Sequence, residues 1–396
     1  MLRLTMAGPM RGGLMGERHA KAAGPGSLPL PCMARAPRDP ERNAAALSPL
    51  LCAWFAANRR DLPWRVNYTP YEVWISEVML QQTQMDRAVD YFRRWMARLP
   101  DVAALAAAKE ETVLRLWEGL GYYSRARNLM AAARLIMADH GGVFPEREEQ
   151  IRALPGIGPY TAAAVASIAF GRAVACVDAN VERVLARLFN VATPVRREPA
   201  ASFIRRWALR LVPENAAREH NQAMMELGAL VCRKSPRCGL CPWGDFCRAR
   251  HLGVAHERPV KDEGPGMTAL ETVAGILEAG GRILVRRRPA RGVWGGLWEF
   301  PGGALAAGED PGAALLRHLR EGAGLEAQQR EGGGHIVHTR TRYRITLHWR
   351  RLCLTGTAPG SLPPLPEHWR WATPEELAGL PLPAPHRKVA MLALGG

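Results

Sequence analysis

Lysine is scarce in this chain. Only five of its 53 basic residues are lysines (Lys21, Lys109, Lys234, Lys261 and Lys388), and the other 48 are arginine. With abundant alanine, glycine and proline, this bias reads as the mark of a GC-rich genome, so part of the arginine excess is compositional. A long apolar run is also missing. The longest charge-free stretch, 153–171, is interrupted by Pro155 and Pro159, which excludes a continuous membrane helix. Met1–Glu17 holds Arg3 and Arg11 and no apolar core, so we read no secretory signal and expect a soluble, cytoplasmic protein. Cysteine is sparse but uneven. Four of eight (Cys32, Cys52, Cys176 and Cys353) are scattered, while Cys232, Cys238, Cys241 and Cys247 fall within one short stretch. Clustering of this kind without a signal peptide predicts a metal site in a reducing compartment and not a disulfide framework.

What is present fits a globular enzyme. A hydrophobic share of 47% with 23% charged residues excludes general disorder, and 396 residues allow two or three domains. The net charge of +16 divides as +4 over 1–43, +8 over 44–250 and +4 over 251–396. A polyanion is the natural partner for such a distribution, with an arginine-biased soluble enzyme the bland alternative.

Residues 1–43 lack periodicity and read as a disordered tail. Residues 44–250 are helical almost throughout, with apolar residues at helical spacing over Tyr71–Leu99, Met130–Met137, Thr161–Phe170, Val181–Leu188, Phe203–Leu211 and Gln222–Val231. Residues 251–267 read as a polar linker. Beyond it the grammar changes: Thr272–Leu277, Ile283–Arg287, Thr346–Leu354 and Trp369–Trp371 read as strands, with one helix over Pro311–Glu321. The expected fold is multidomain, an all-α domain followed by a smaller α+β domain over 268–392.

Three motifs carry chemistry. Leu154-Pro-Gly-Ile-Gly158 lies between two helical patterns. Its glycines, Gly156 and Gly158, free the backbone for close approach to a DNA phosphate, although an ordinary helix–helix turn has the same pattern. Twenty residues on, Cys176-Val-Asp-Ala-Asn-Val places Asp178 before a strong helix, where a simple N-cap is the plain alternative. The four clustered cysteines share one loop, unlike the two well-separated knuckles usual for zinc.

In this order the motifs resemble the helix-hairpin-helix DNA glycosylases, and the cysteines resemble the iron–sulfur loop of the endonuclease III branch. Five residues separate Cys232 from Cys238 where that branch has six. Leu62-Pro-Trp-Arg65, Ser76-Glu-Val-Met-Leu-Gln-Gln-Thr-Gln84 and Gly119-Leu-Gly-Tyr-Tyr-Ser-Arg-Ala-Arg-Asn128 closely resemble the adenine DNA glycosylase (MutY) family. The resemblance implies one 4Fe-4S cluster on Cys232, Cys238, Cys241 and Cys247. It implies a monomer acting on double-stranded DNA with A:8-oxoG or A:G mispairs.

The family's site residues map onto this sequence one by one. Glu77 matches the catalytic acid, and a desolvated carboxyl is suited to protonating adenine's imidazole ring. Asp178 matches the carboxylate that stabilises the cationic sugar, while Asn180 and Tyr160 match residues that orient these groups. Bifunctional relatives carry lysine at the Tyr160 position, and a phenol forms no Schiff base. Gln82 and Tyr122 match the wedge that fills the gap left by a flipped base, and Thr83 is expected among the residues that contact DNA or the base. Arg59, Trp64, Arg65, Leu80 and Gln222 match the adenine pocket and its surroundings.

The second domain resembles a Nudix fold. It keeps Gly303, Glu309, Arg317, Leu319, Glu321, Gly324 and Leu325 of the hydrolase box but has His318 and Gly322 in place of two magnesium-binding glutamates. Pyrophosphate cleavage is therefore not expected. A Phe-Ser-His triplet used for 8-oxoguanine sensing is replaced by Arg340-Thr341-Arg342, with Thr341 the substitute for the serine. Rival readings are an endonuclease III-like pyrimidine-lesion glycosylase, a non-catalytic DNA-binding iron–sulfur protein and a nucleotide-pool pyrophosphatase.

Overall fold

A computed structural model of the chain describes residues 38–81, 83–262, 266–289, 294–340, 343–356, 358 and 360–395. Helices fill the first part: α1 (Ala44–Asn58), α2 (Pro70–Leu80), α3 (Met85–Arg98), α4 (Val102–Ala107), α5 (Glu110–Trp117), α6 (Ser124–His140), α7 (Glu148–Ala153), α8 (Pro159–Ala164), α9 (Ala179–Leu188), α10 (Ala200–Leu211), α11 (Ala217–Leu230) and the short α12 (Arg248–His251). Two apolar cores organise them. One gathers α2 to α8 around Trp74, Ile75, Trp95 and Trp117. The other joins α1, α9, α10 and α11 around Leu47, Leu51, Leu185 and Leu227, and takes Trp243 and Phe246 from the cysteine loop.

The periodic stretch Tyr71–Leu99 is two helices and not one. Thr69 caps the first, its hydroxyl accepting from the Glu72 amide, and the chain leaves the helix at Gln81 before restarting at Met85. Apolar spacing persists across the break because both helices bury a face in the same core, so periodicity alone does not reveal it. After α8 the backbone widens into a π turn over Val165–Ala169, an irregularity common near functional sites.

Residues 38–43, read from sequence as part of a disordered tail, are tied down: the Arg38 amide donates to the Asp245 carbonyl, and Asp39 and Glu41 pair with Arg248. Residues 1–37 lie outside the described residues. The stretch read as a polar linker is also pinned, with Arg197 on Asp262 at 2.6 Å and the buried Arg187 donating to the Arg258 carbonyl.

A mixed sheet follows, ordered β3–β2–β1–β6–β5, from β1 (Thr268–Ala279), β2 (Arg282–Arg287), β3 (Trp298–Glu299), β4 (Gly302–Ala304), β5 (Ala327–Arg340), β6 (Tyr343–Leu354) and β7 (Trp369–Ala372). β4 pairs with β1 and β7 with β2; β1 and β6 run parallel, and the other pairs are antiparallel. Helix α13 (Pro311–Ala323) packs Leu315 and Leu319 in one core with β1 residues Val273 and Leu277. Helices α14 (Pro374–Gly379) and α15 (Ala384–Leu394) contribute Leu377 and Val389 to another with Ala274 and Ile276, so successive β1 residues face opposite layers. Helical and sheet regions belong to one compact unit. Leu297, from the loop before β3, is fully buried in the α2–α8 core.

Candidate active site

A cavity of about 670 Å³ opens between the two helical cores. Helix α2 brings Glu77 and Leu80 from one side. The turn before it brings Trp64 and Arg65, α8 brings Tyr160, and the start of α9 brings Asp178 and Asn180. Helix α11 completes the wall with Gln222, Met225 and Glu226. Trp64 and Glu226, 162 positions apart, thus share one site.

Glu77 is 6% exposed. The Tyr160 hydroxyl donates to its Oε2 at 2.6 Å. Burial pushes the Glu77 carboxyl up to about 7; the Tyr160 hydrogen bond opposes this, and the nearby Asp178 adds to it. Burial, aided by the same two carboxyls, holds the Tyr160 phenol well above its ordinary value, so it remains a donor.

Asp178 does cap α9, its Oδ1 accepting from the Val181 amide at 2.8 Å. Its Oδ2 also accepts from Asn180 Nδ2 at 2.7 Å, and Asn180 Oδ1 in turn accepts from Arg183 at 2.7 Å. The cap and the cavity position are therefore compatible roles. A Cβ on Gly228 would lie 2.5 Å from Asn180 Cβ, so glycine there lets α11 approach this chain of bonds.

Glu226 is a buried carboxylate that the sequence reading missed. Burial pushes it up, but Arg60 on both oxygens (2.7 and 3.0 Å) and Arg65 on Oε2 (3.0 Å) overcome this and hold it below the usual range. Its position four residues after Gln222 on α11 was the available signal.

The expected site residues divide by location. Glu77, Tyr160, Asp178, Asn180, Trp64, Arg65, Leu80, Thr83 and Gln222 line the cavity. Arg59 is exposed at the end of α1 and lies outside it, while its neighbour Arg60 faces it. Tyr122 borders a second cavity, of about 730 Å³, shared with sheet-region residues such as Trp294 and Tyr343. Gly156 has φ +75°, and a Cβ there would lie 2.4 Å from Asn128 Cβ, so the hairpin needs glycine on two grounds. Gly158 N-caps α8 with open space around it. Gln82 and Thr341 lie outside the described residues.

Cys232, Cys238, Cys241 and Cys247 line one small pocket with Arg187 and Arg250. None is in a disulfide. The short Cys232–Cys238 interval closes through the Arg237 amide on the Val231 carbonyl at 2.9 Å. Arg187, 2% exposed, donates to Cys232 Sγ at 3.3 Å and to the carbonyls of Cys232 and Arg233. Among the described residues, no group of three or more His, Cys, Asp or Glu is arranged to hold a metal ion. Even so, four soft donors around one pocket beside a buried guanidinium fit an anionic thiolate-ligated cluster.

Residues 75–208 match the HhH-GPD superfamily base excision DNA repair proteins, and residues 272–392 match the NUDIX domain. The adenine DNA glycosylase of Homo sapiens is 34% identical over 390 residues, covering 82% of this chain and 70% of that protein. That of Mycobacterium tuberculosis is 43% identical over 209 residues, 51% of this chain and 67% of that protein. A solved thermostable thymine-DNA glycosylase matches with a TM-score of 0.50 at 26% identity, over 54% of this chain and 98% of that one. With both domain families present in order and this similarity spanning most of the chain, the protein belongs to the adenine DNA glycosylase family.

Proposed function

We propose that this protein excises adenine mispaired with 8-oxoguanine or guanine from double-stranded DNA, acting as a monomer and a monofunctional glycosylase. One observation carries the reading: a buried neutral-leaning carboxyl, Glu77, faces the same cavity as an oriented carboxylate, Asp178. Unequal environments let two carboxyl groups divide acid and electrostatic work.

Tyr160 occupies Oε2 of Glu77, so Oε1 is the oxygen left to carry a proton to the imidazole ring of a flipped adenine. The protonated base then leaves with the electron pair of the N-glycosidic bond. Asp178, fixed by Asn180 and the Val181 amide, stabilises the positive charge that develops on the sugar. Water adds to the sugar carbon, and its proton returns to the carboxyl pair. Among the described residues no lysine lines the cavity, so none of them places an amine to attack the sugar and cut the strand. Trp64 and Leu80 offer apolar faces and Gln222 an amide edge to the purine.

The hairpin amides would grip backbone phosphate, and Cys232, Cys238, Cys241 and Cys247 would hold one 4Fe-4S cluster that fixes their loop. The sheet domain would sense the base opposite adenine through Thr341. Duplexes with A:8-oxoG, A:G, A:C and thymine glycol test the whole reading. Free adenine from the first two, with breaks only after alkali, is expected. Release of thymine glycol alone, or borohydride trapping with scission at neutral pH, would overturn it. Iron and sulfide near four per chain check the cluster.

A further inference from the structure

The loop that carries Tyr122 is held from the sheet domain. Glu118 caps the end of helix α5, and the next four residues include three at positive φ: Gly119 (+96°), Gly121 (+72°) and Tyr122 (+49°). A tyrosine at positive φ is costly and persists only where its surroundings enforce it. Arg125 supplies part of that enforcement. Its guanidinium donates to the carbonyls of Leu120 and Gly121 in the loop, and to those of Val78 and Gln81 at the end of the helix bearing Glu77.

The other end of the loop is fixed across the domain boundary. Glu118 Oε1 accepts from Arg387 Nε at 2.6 Å and Oε2 from Arg387 Nη2 at 3.0 Å. The side chains are 13% and 22% exposed, so this forked pair is shielded from screening, unlike an ordinary surface bridge. Arg387 is itself braced by the carbonyls of Leu377 and Leu380. Its neighbour His386 lines the cavity that Tyr122 also lines.

We propose that the Nudix-like domain positions the base-flipping tyrosine of the catalytic domain through the Arg387–Glu118 pair. Arg387 is a positioning residue in this scheme: it touches no substrate and acts through Glu118 on the backbone geometry of residues 119–122. The proposal rests on the adenine-excision reading. It makes the sheet domain part of the flipping apparatus as well as a sensor of the opposite base.

The test uses the full chain and an A:8-oxoG duplex with 2-aminopurine beside the target adenine. Fluorescence on mixing reports unstacking, and single-turnover adenine release reports the outcome. Arg387→Ala and Glu118→Gln should each lower the fluorescence step and slow release about tenfold, as misplacement of a positioning group does. Arg387→Lys should recover part of both. In a Tyr122→Ala background, Arg387→Ala should cost nothing further, whereas simple domain glue would slow both backgrounds by the same factor. Equal slowing in both backgrounds, or an unchanged fluorescence step in both Arg387→Ala and Glu118→Gln, overturns the proposal. A wild-type protein that releases no adenine would overturn the functional reading itself.

Discussion

Glu77 in the helical region and Glu299 in the sheet region are buried to almost the same depth, 6% and 3% exposed, yet their surroundings drive them apart. Burial pushes both carboxyls up. At Glu77 the Tyr160 bond resists only partly, Asp178 reinforces burial, and the group comes to rest at about 7. At Glu299, burial is overcome by His386, Arg288 and Arg286, and the carboxyl ends below its ordinary value. Glu226 repeats the Glu299 pattern with Arg60 and Arg65. A buried carboxylate wrapped in guanidinium groups is a structural element. One left with a phenol and a neighbouring carboxylate is equipped to hand over a proton.

Removing the carboxyl from each region should therefore have opposite consequences. Glu77→Gln should slow single-turnover adenine release from an A:G duplex by about 10²–10⁴-fold, the range for loss of a general acid. Its melting temperature should hold or rise, because a desolvated ionisable group has gone. Asp178→Asn should be comparably inactive with α9 intact, since asparagine caps as well as aspartate does. A stable, folded Asp178→Asn that retains activity would reduce Asp178 to its cap.

Glu299→Gln should do the reverse. Adenine release at a temperature where the protein is folded should stay near wild type, while denaturant melts show a loss of about 3 kcal/mol. That is the low end for breaking a buried pair, because Arg286 and Arg288 are each about a quarter exposed. Slowed chemistry without lost stability would remove the contrast between the two regions.

Much of this was legible in the sequence, though unevenly. Helical periodicity located α6, α9, α10 and α11, and alternation located β1, β2, β6 and β7. Strand β5 was missed. Its Gly332-Gly333-Gly334 run and polar start hide any alternation, and the strand exists because β6 supplies a pairing edge, with a register shift between Arg330 and Gly333. Glu77 and Asp178 were found through motif resemblance, whereas their inequality needed three dimensions. It depends on Tyr160, 83 residues from Glu77, and on Arg65 being committed to Glu226. Arg387 carried no signal among 48 arginines, because its partner lies 269 residues away.

The smallest effect is expected at the hydrolase box. Glu309 is locked to Arg317 by two bonds of 2.9 Å, and His318 Nε2 donates to the Ala304 carbonyl at 2.9 Å. A Cβ on Gly322 would lie 2.7 Å from the Trp369 ring, so the space of the missing glutamate is already filled. His318→Glu should thus leave nucleoside triphosphates uncleaved in magnesium, with no pyrophosphate released. Cleavage by that single variant would show a magnesium site more intact than the ion pairs imply.

The central claim is that neutral Glu77 delivers the proton, and a pH–rate profile tests it most directly. A carboxyl with a raised pKa is protonated below that value and ionised above it. Single-turnover adenine release by the wild type should therefore be sustained below about pH 7 and fall as pH rises through it, by up to tenfold per unit. Glu77→Gln should show only a slow rate without that fall. A wild-type rate unchanged from pH 6 to 9, or a Glu77→Gln variant that keeps the wild-type rate and profile, would contradict the account.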